Sequence, residues 1–171
     1  MTDHFSLYDI PVSFRPDPGL VKKKYYELSR AHHPDRTGGA TAEALLQAAQ
    51  VNDAFKVFRN PDATMEYVLK LKGMMQDQEK YNLPSDFLME MMELNEALGD
   101  LEPGDEPALQ KARAELDARL AEWQQDVDKL TTLWDSVDQS AALLADLKDF
   151  YFRKKYLLRI QERINTFAAQ P

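Results

Sequence analysis

The side chains that could do chemistry in this chain are few. There are three histidines, His4, His32 and His33, and no cysteine. His33-Pro34-Asp35 places an imidazole and a carboxylate two residues apart, a pairing that can shuttle protons or bind a metal. Neither use can be completed. His32 falls on an apolar stripe, His4 is remote in sequence, and no further histidine or cysteine exists to fill a zinc site. No glycine-rich phosphate loop and no nucleophile–base spacing occurs. The expectation is a protein with no catalytic residue, no metal and no cofactor. What remains for the tripeptide is an exposed turn, and its residue types also suit an ordinary turn with no further role.

The elements that present it are helical. Pro34 ends a charged helix that begins at Pro18, because proline cannot continue a helix and disfavours helical geometry at His33. Val21, Tyr25, Leu28 and His32 recur at helical spacing and form its inner stripe. Lys22, Lys23, Lys24 and Arg30 fall mostly outside it, leaving a basic outer surface. Arg36-Thr37-Gly38-Gly39 is a flexible loop, and Thr41 is the expected N-cap of a second helix running to Arg59. Its expected inner stripe is Leu45, Ala48, Asn52, Phe55 and Phe58. Asn60-Pro61 breaks that helix, and Asp62 opens a short one through Tyr67, Val68, Leu69 and Leu71, closed by Gly73. With the aromatic segment from Phe5 to Pro11, residues 1–73 read as one unit, and residues 74–84 as a linker.

Residues 85–171 read as an antiparallel three-helix bundle, so the fold class is all-α. The first helix starts at Ser85, a candidate cap, with Asp86 at the positive end of the helix dipole, and runs to Leu101. After a turn at Glu102-Pro103-Gly104-Asp105, Pro107 opens the second. Leu109, Leu116, Trp123, Leu130 and Val137 recur there every seven residues, with Leu120, Val127 and Trp134 between them. Asp138-Gln139-Ser140 makes the last turn. The final helix carries Leu143, Leu147, Phe150, Leu157, Ile160, Ile164 and Phe167 on one side. Short connections favour antiparallel neighbours.

Composition narrows the role. At 171 residues, 44% hydrophobic and 29% charged, with six glycines, the chain suits helical domains with real cores. No apolar run approaches membrane-spanning length, and no leader pattern precedes the folded-looking sequence. The absence of cysteine excludes disulfides and fits a reducing compartment. The net charge of −8 is uneven: residues 1–72 carry ten Lys/Arg against nine Asp/Glu, and residues 73–171 carry eleven against twenty. Such an acidic chain repels phosphate backbones, so no nucleic-acid partner is expected. Nor is a membrane.

The most informative residues of the second unit are those a core leaves over. On its first helix Phe87, Met91, Leu94, Leu98 and Leu101 lie within about 40° of one direction, enough for a core face. Leu88, Met89 and Met92 are also apolar and point roughly 100° to 200° away. Glu93, Glu96 and Asp100 lie beside and beyond them. A second apolar stripe with an acidic margin is what a helix shows when another protein binds its outer face, or when it packs on a neighbouring domain. Met suits such a surface because it repacks easily. Phe150, Tyr151 and Phe152 are consecutive, so with Phe150 inward Phe152 points about 200° away.

Two amphipathic helices joined by an exposed His-Pro-Asp turn resemble the J-domain of DnaJ-type co-chaperones. The resemblance extends further. An acidic three-helix bundle opened by Phe87-Leu88-Met89-Glu90, with Glu66-Tyr67-Val68-Leu69 between the units, is similar to the HscB family over essentially the whole chain. That resemblance implies a co-chaperone of iron–sulfur cluster assembly. Its J-domain would stimulate the ATPase of a dedicated HscA/DnaK-class chaperone through His33, Pro34, Asp35, Lys22, Lys23 and Arg30. Its bundle would bind the cluster scaffold protein IscU through Leu88, Met89, Met92, Glu93, Glu96, Asp100 and Phe152. Departures occur where many J-domains carry two cations and this chain has Tyr26 and Glu27, and where an arginine common in the family gives way to Ala63, Thr64 and Met65. The resemblance implies a bacterial, cytoplasmic protein. A J-protein whose bundle serves another client or self-associates is the alternative, and the position of the spare apolar residues argues against simple self-association.

Overall fold

A computed structural model describes residues 2–33, 35–36, 38–39 and 41–170. The described residues are helical, without strand, and divide into two compact units, Met1–Met75 and Gln76–Pro171. No helix among them is long and apolar enough to cross a membrane.

The N-terminal unit is built from α1 (His4–Tyr8), α2 (Pro18–Ala31), α3 (Ala42–Arg59) and α4 (Pro61–Leu71). Each start has a side-chain cap that satisfies otherwise orphaned N–H groups. Asp17 accepts from Gly19 and Leu20, Thr41 from Ala44, and Asn60 from Asp62 and Ala63. Pro18 and Pro61 follow their caps, where a missing N–H costs nothing. Gly73, with φ +72°, takes the left-handed conformation that ends α4.

Aromatic rings fill the centre of this unit. Phe5 and Tyr8 of α1 pack on Phe58 with centroids 4.9 and 5.1 Å apart. The Tyr8 hydroxyl donates to the Val51 carbonyl at 2.7 Å. Tyr25 stacks on Phe55 at 4.1 Å and so ties α2 to α3. On α3 mostly small residues face inward, with Phe58 meeting the α1 rings. The buried positions of α3 are Ala44, Val51, Ala54 and Phe58. The expected stripe is therefore turned at its start, where Leu45 and Leu46 are exposed, and Asn52 is also exposed. Tyr67 of α4 stacks on His4 at 4.3 Å, and Val68 and Leu69 are wholly buried in the same core.

The C-terminal unit is an up-down-up bundle of α5 (Ser85–Gly99), α6 (Glu106–Ser136) and α7 (Ala141–Ala168), with α6 packed along α7. Phe87, Met91, Leu94 and Leu98 face its core from α5. From α6 come Leu109, Ala112, Leu116, Trp123, Val127, Thr131 and Trp134. The expected stripe is buried at Leu109, Leu116, Trp123, Val127 and Trp134, but Leu120 and Leu130 are half-buried, Thr131 turns inward, and beyond the end of α6 at Ser136 Val137 is 80% exposed. Ser85 is not the cap. Pro84 holds that position and makes no side-chain cap bond.

On α7 the inward aromatic is Tyr151 rather than Phe150. Trp123 Nε1–H donates to the Phe150 carbonyl at 2.7 Å, so α6 meets the α7 backbone there. The half-buried Phe150 ring lies under the Arg153 guanidinium, 5.3 Å from its centroid.

Candidate functional site: two recognition surfaces

The first surface lies at the end of α2. The helix closes at Ala31, with the His32 N–H on the Leu28 carbonyl at 3.0 Å, three residues before the proline that sequence made its terminus. Pro34 itself lies outside the described residues. His33 and Asp35 form a turn in which the Arg36 N–H donates to the His33 carbonyl at 2.9 Å. The Asp35 N–H donates to His33 Nδ1 at 3.3 Å, and that nitrogen lies 3.5 Å from Asp35 Oδ2. The imidazole thereby folds back on the turn and fixes the peptide carrying the carboxylate. That carboxylate keeps 90% of its surface in solvent, where an incoming guanidinium can reach both oxygens.

Tyr26, Ser29, Arg30, His33, Asp35 and Arg36 line a concavity of about 560 Å³ beside the turn. Tyr26, a departure from the J-domain pattern, forms one wall of it. Arg30 Nε donates to the Tyr26 carbonyl at 3.3 Å, and the residue is exposed. Lys22 and Lys23 are exposed on the same helix, whereas Lys24 is half-buried and sits 3.6 Å from the Asp9 carboxylate. The six named positions share one short stretch of chain, and five of them fall within the described residues.

The second surface is the outer face of α5. Leu88, Met89 and Met92 are 40%, 68% and 60% exposed, and Glu93, Glu96 and Asp100 are exposed beside them. Packing within the unit thus leaves all six available. The inner edge of this face is joined to α7 by a polar chain. Asn95 donates from Nδ2 to the Tyr156 hydroxyl at 3.1 Å, and Arg163 donates to Asn95 Oδ1 at 3.0 Å. Tyr156 also meets Phe87 edge-on at 6.0 Å. Phe152 lies one helical turn before Tyr156 and so borders the start of α5.

Phe152 is not free, contrary to its expected outward position. It is half-buried under Tyr81, with centroids 4.7 Å apart and planes at 9°. Tyr81 belongs to the stretch read as linker, which meets α7 through Glu79 and Tyr81. The signal in the sequence was an aromatic residue in a polar segment, and spacing alone could not find its distant partner.

Comparison with known proteins gives the family of the chain. Residues 83–165 match the family model described as the HSCB C-terminal oligomerisation domain. A co-chaperone protein HscB homolog from Shewanella frigidimarina is 32% identical over 168 residues, covering 95% of this chain and 94% of that protein. The chain belongs to the HscB co-chaperone family. An HscB homolog from Vibrio vulnificus strain YJ016 is 35% identical over 124 residues, 70% of this chain and 71% of its own. One from Photobacterium profundum is 36% identical over 110 residues, which span 64% of that protein. The crystal structure of human co-chaperone protein HscB superimposes with a TM-score of 0.74 at 27% identity, over 99% of this chain and 83% of that one. HscB from Vibrio cholerae, 24% identical, shares the fold with a TM-score of 0.67 over 96% of each chain.

Proposed function

We propose that this HscB-family chain is a two-surface adaptor that binds the iron–sulfur scaffold IscU and delivers it to an HscA/DnaK-class chaperone, whose ATPase it stimulates in the bacterial cytoplasm. The N-terminal unit is its J-domain and the C-terminal bundle its scaffold-binding domain. The observation that carries this reading is the outer face of α5. Three large apolar side chains stay exposed there while their immediate neighbours Phe87 and Met91 are buried.

The two surfaces do different work. Asp35 accepts charge-assisted hydrogen bonds from an arginine of the chaperone's ATPase domain, with His33 and Pro34 shaping the turn. Lys22, Lys23 and Arg30 steer the encounter toward an acidic surface. Leu88, Met89, Met92 and Phe152 hold the scaffold by apolar contact, and Glu93, Glu96 and Asp100 orient it. Carrying both sites on one chain raises the effective concentration of scaffold at the chaperone.

Calorimetric titration with the scaffold protein from the same genome tests the second surface. Wild type should bind, and a folded Leu88→Ala, Met92→Ala, Phe152→Ala variant should not. Equal binding by that variant removes α5 from the account. The matched family model is described as an oligomerisation domain, which favours a second reading in which the bundle pairs with its own copy. Sedimentation velocity separates the two readings, since a scaffold adaptor stays monomeric at micromolar concentration.

A further inference from the structure

The segment ahead of α5 is gripped by a single stretch of α7. Glu79 Oε2 lies 2.7 Å from Lys148 Nζ. The Tyr81 hydroxyl donates to Asp149 Oδ1 at 2.8 Å, and the other oxygen of that carboxylate accepts from Arg153 Nε at 2.5 Å. The Tyr81 ring covers one face of Phe152, while Tyr151 meets Phe152 edge-on at 5.2 Å and 83°. Burial and the adjoining Asp149 push the Tyr81 phenol up to about 12, so it remains a donor at neutral pH.

We propose that Tyr81 is a positioning residue of the α5 surface, fixing the Phe152 ring in the orientation in which a scaffold lying on Leu88, Met89 and Met92 meets it. The partner site then begins ahead of α5, within the stretch that sequence reads as linker. This rests on the scaffold reading of that surface. A lone phenylalanine at the rim of a helix pair samples several rotamers, and ordering it only on binding weakens the complex. Stacked on Tyr81 and met edge-on by Tyr151, it is ordered beforehand. The opposite role, a cover that must leave before a partner binds, conflicts with the anchoring. Swinging Tyr81 away would break the stack and the Asp149 hydrogen bond, and would pull on the Glu79–Lys148 pair in the same short segment.

Two measurements on the full chain decide it. The first is titration with the scaffold protein of wild type, Tyr81→Phe and Tyr81→Ala. Tyr81→Phe keeps the ring and should bind like wild type. Tyr81→Ala should bind about three- to tenfold more weakly, the range expected for ordering one ring. In a Phe152→Ala background the same change should cost nothing more. The second needs no partner: NMR of ring-labelled phenylalanine, in which the Phe152 resonances carry a ring-current displacement from Tyr81. That displacement should collapse in Tyr81→Ala and persist in Tyr81→Phe. Tighter binding by Tyr81→Ala, or Phe152 resonances unmoved by it, overturns the proposal. A wild type that binds no scaffold refutes the scaffold reading instead, and the resonances still decide whether Tyr81 orders the ring.

Discussion

Met91 and Met92 are adjacent on α5 and chemically identical, yet their truncation should separate stability from binding. A helix turns about 100° between them. The result is 1% exposure for Met91 and 60% for Met92. Fully burying such a side chain contributes about 1.5–3 kcal/mol, and emptying its site adds a cavity term, so Met91→Ala should cost about 2–5 kcal/mol of bundle stability. Met92 has only part of that burial to lose, which bounds its truncation at about 1 kcal/mol, offset by alanine's better helix propensity. Both tryptophans, Trp123 and Trp134, are buried in α6, so their fluorescence in a urea titration reports this unit alone. The expected outcome is a large drop in midpoint for Met91→Ala and almost none for Met92→Ala. Scaffold affinity should fall in Met92→Ala although its fold is intact. Equal destabilisation by the two changes would show that Met92 belongs to the core, and the α5 surface would then have no basis.

Two predictions concern the N-terminal unit. The His4 ring stacks on Tyr67 while its backbone N–H donates to the Tyr67 hydroxyl at 2.8 Å, and burial lowers the imidazole's pKa against the opposing pull of Asp53 and Asp3. The folded state therefore resists a proton that the unfolded chain accepts near 6.5, so stability is full above that pH and declines as pH falls through it. Amide-exchange protection in α1 and α4, corrected for intrinsic rates, should weaken from pH 7 to 5 in wild type but less in His4→Phe; identical profiles would contradict this. Tyr8→Phe removes the buried hydroxyl bond to Val51 and should cost about 1 kcal/mol in thermal unfolding of this unit, whereas an unchanged transition would show that the bond adds nothing.

The architecture was largely legible because proline, glycine and capping residues punctuate helical stripes. Thr41 caps α3 as its type suggests, and Gly73 ends α4. Misreadings arose where a stripe's phase depends on something outside the helix. On α3 the phase departs at the start, where Ala44 is buried and Leu45 and Leu46 are exposed, and the α3 sequence alone cannot disclose which of these adjacent residues meets the core. On α7 two adjacent aromatics straddle the seam, and the Trp123 bond to the backbone accompanies Tyr151 as the inward one. The exposed trio on α5 was readable because it remained once five positions had been given to the core, of which Phe87, Met91, Leu94 and Leu98 are buried. Phe152 was only half readable. Its cover, Tyr81, bonds to Asp149 sixty-eight residues away, and no periodicity spans that distance.

The central claim is that both surfaces must act from one chain. Steady-state ATPase activity of the HscA-class chaperone with scaffold tests it most directly, using wild type, His33→Gln, the α5 triple variant, and an equal mixture of the two variants. The account predicts that wild type stimulates beyond the sum of scaffold and J-domain effects. His33→Gln should bind scaffold without stimulating, and the triple variant should stimulate without the scaffold's enhancement. Their mixture should not recover the wild-type rate, because neither molecule links the sites. Full recovery by the mixture, or full stimulation by His33→Gln, would contradict the account.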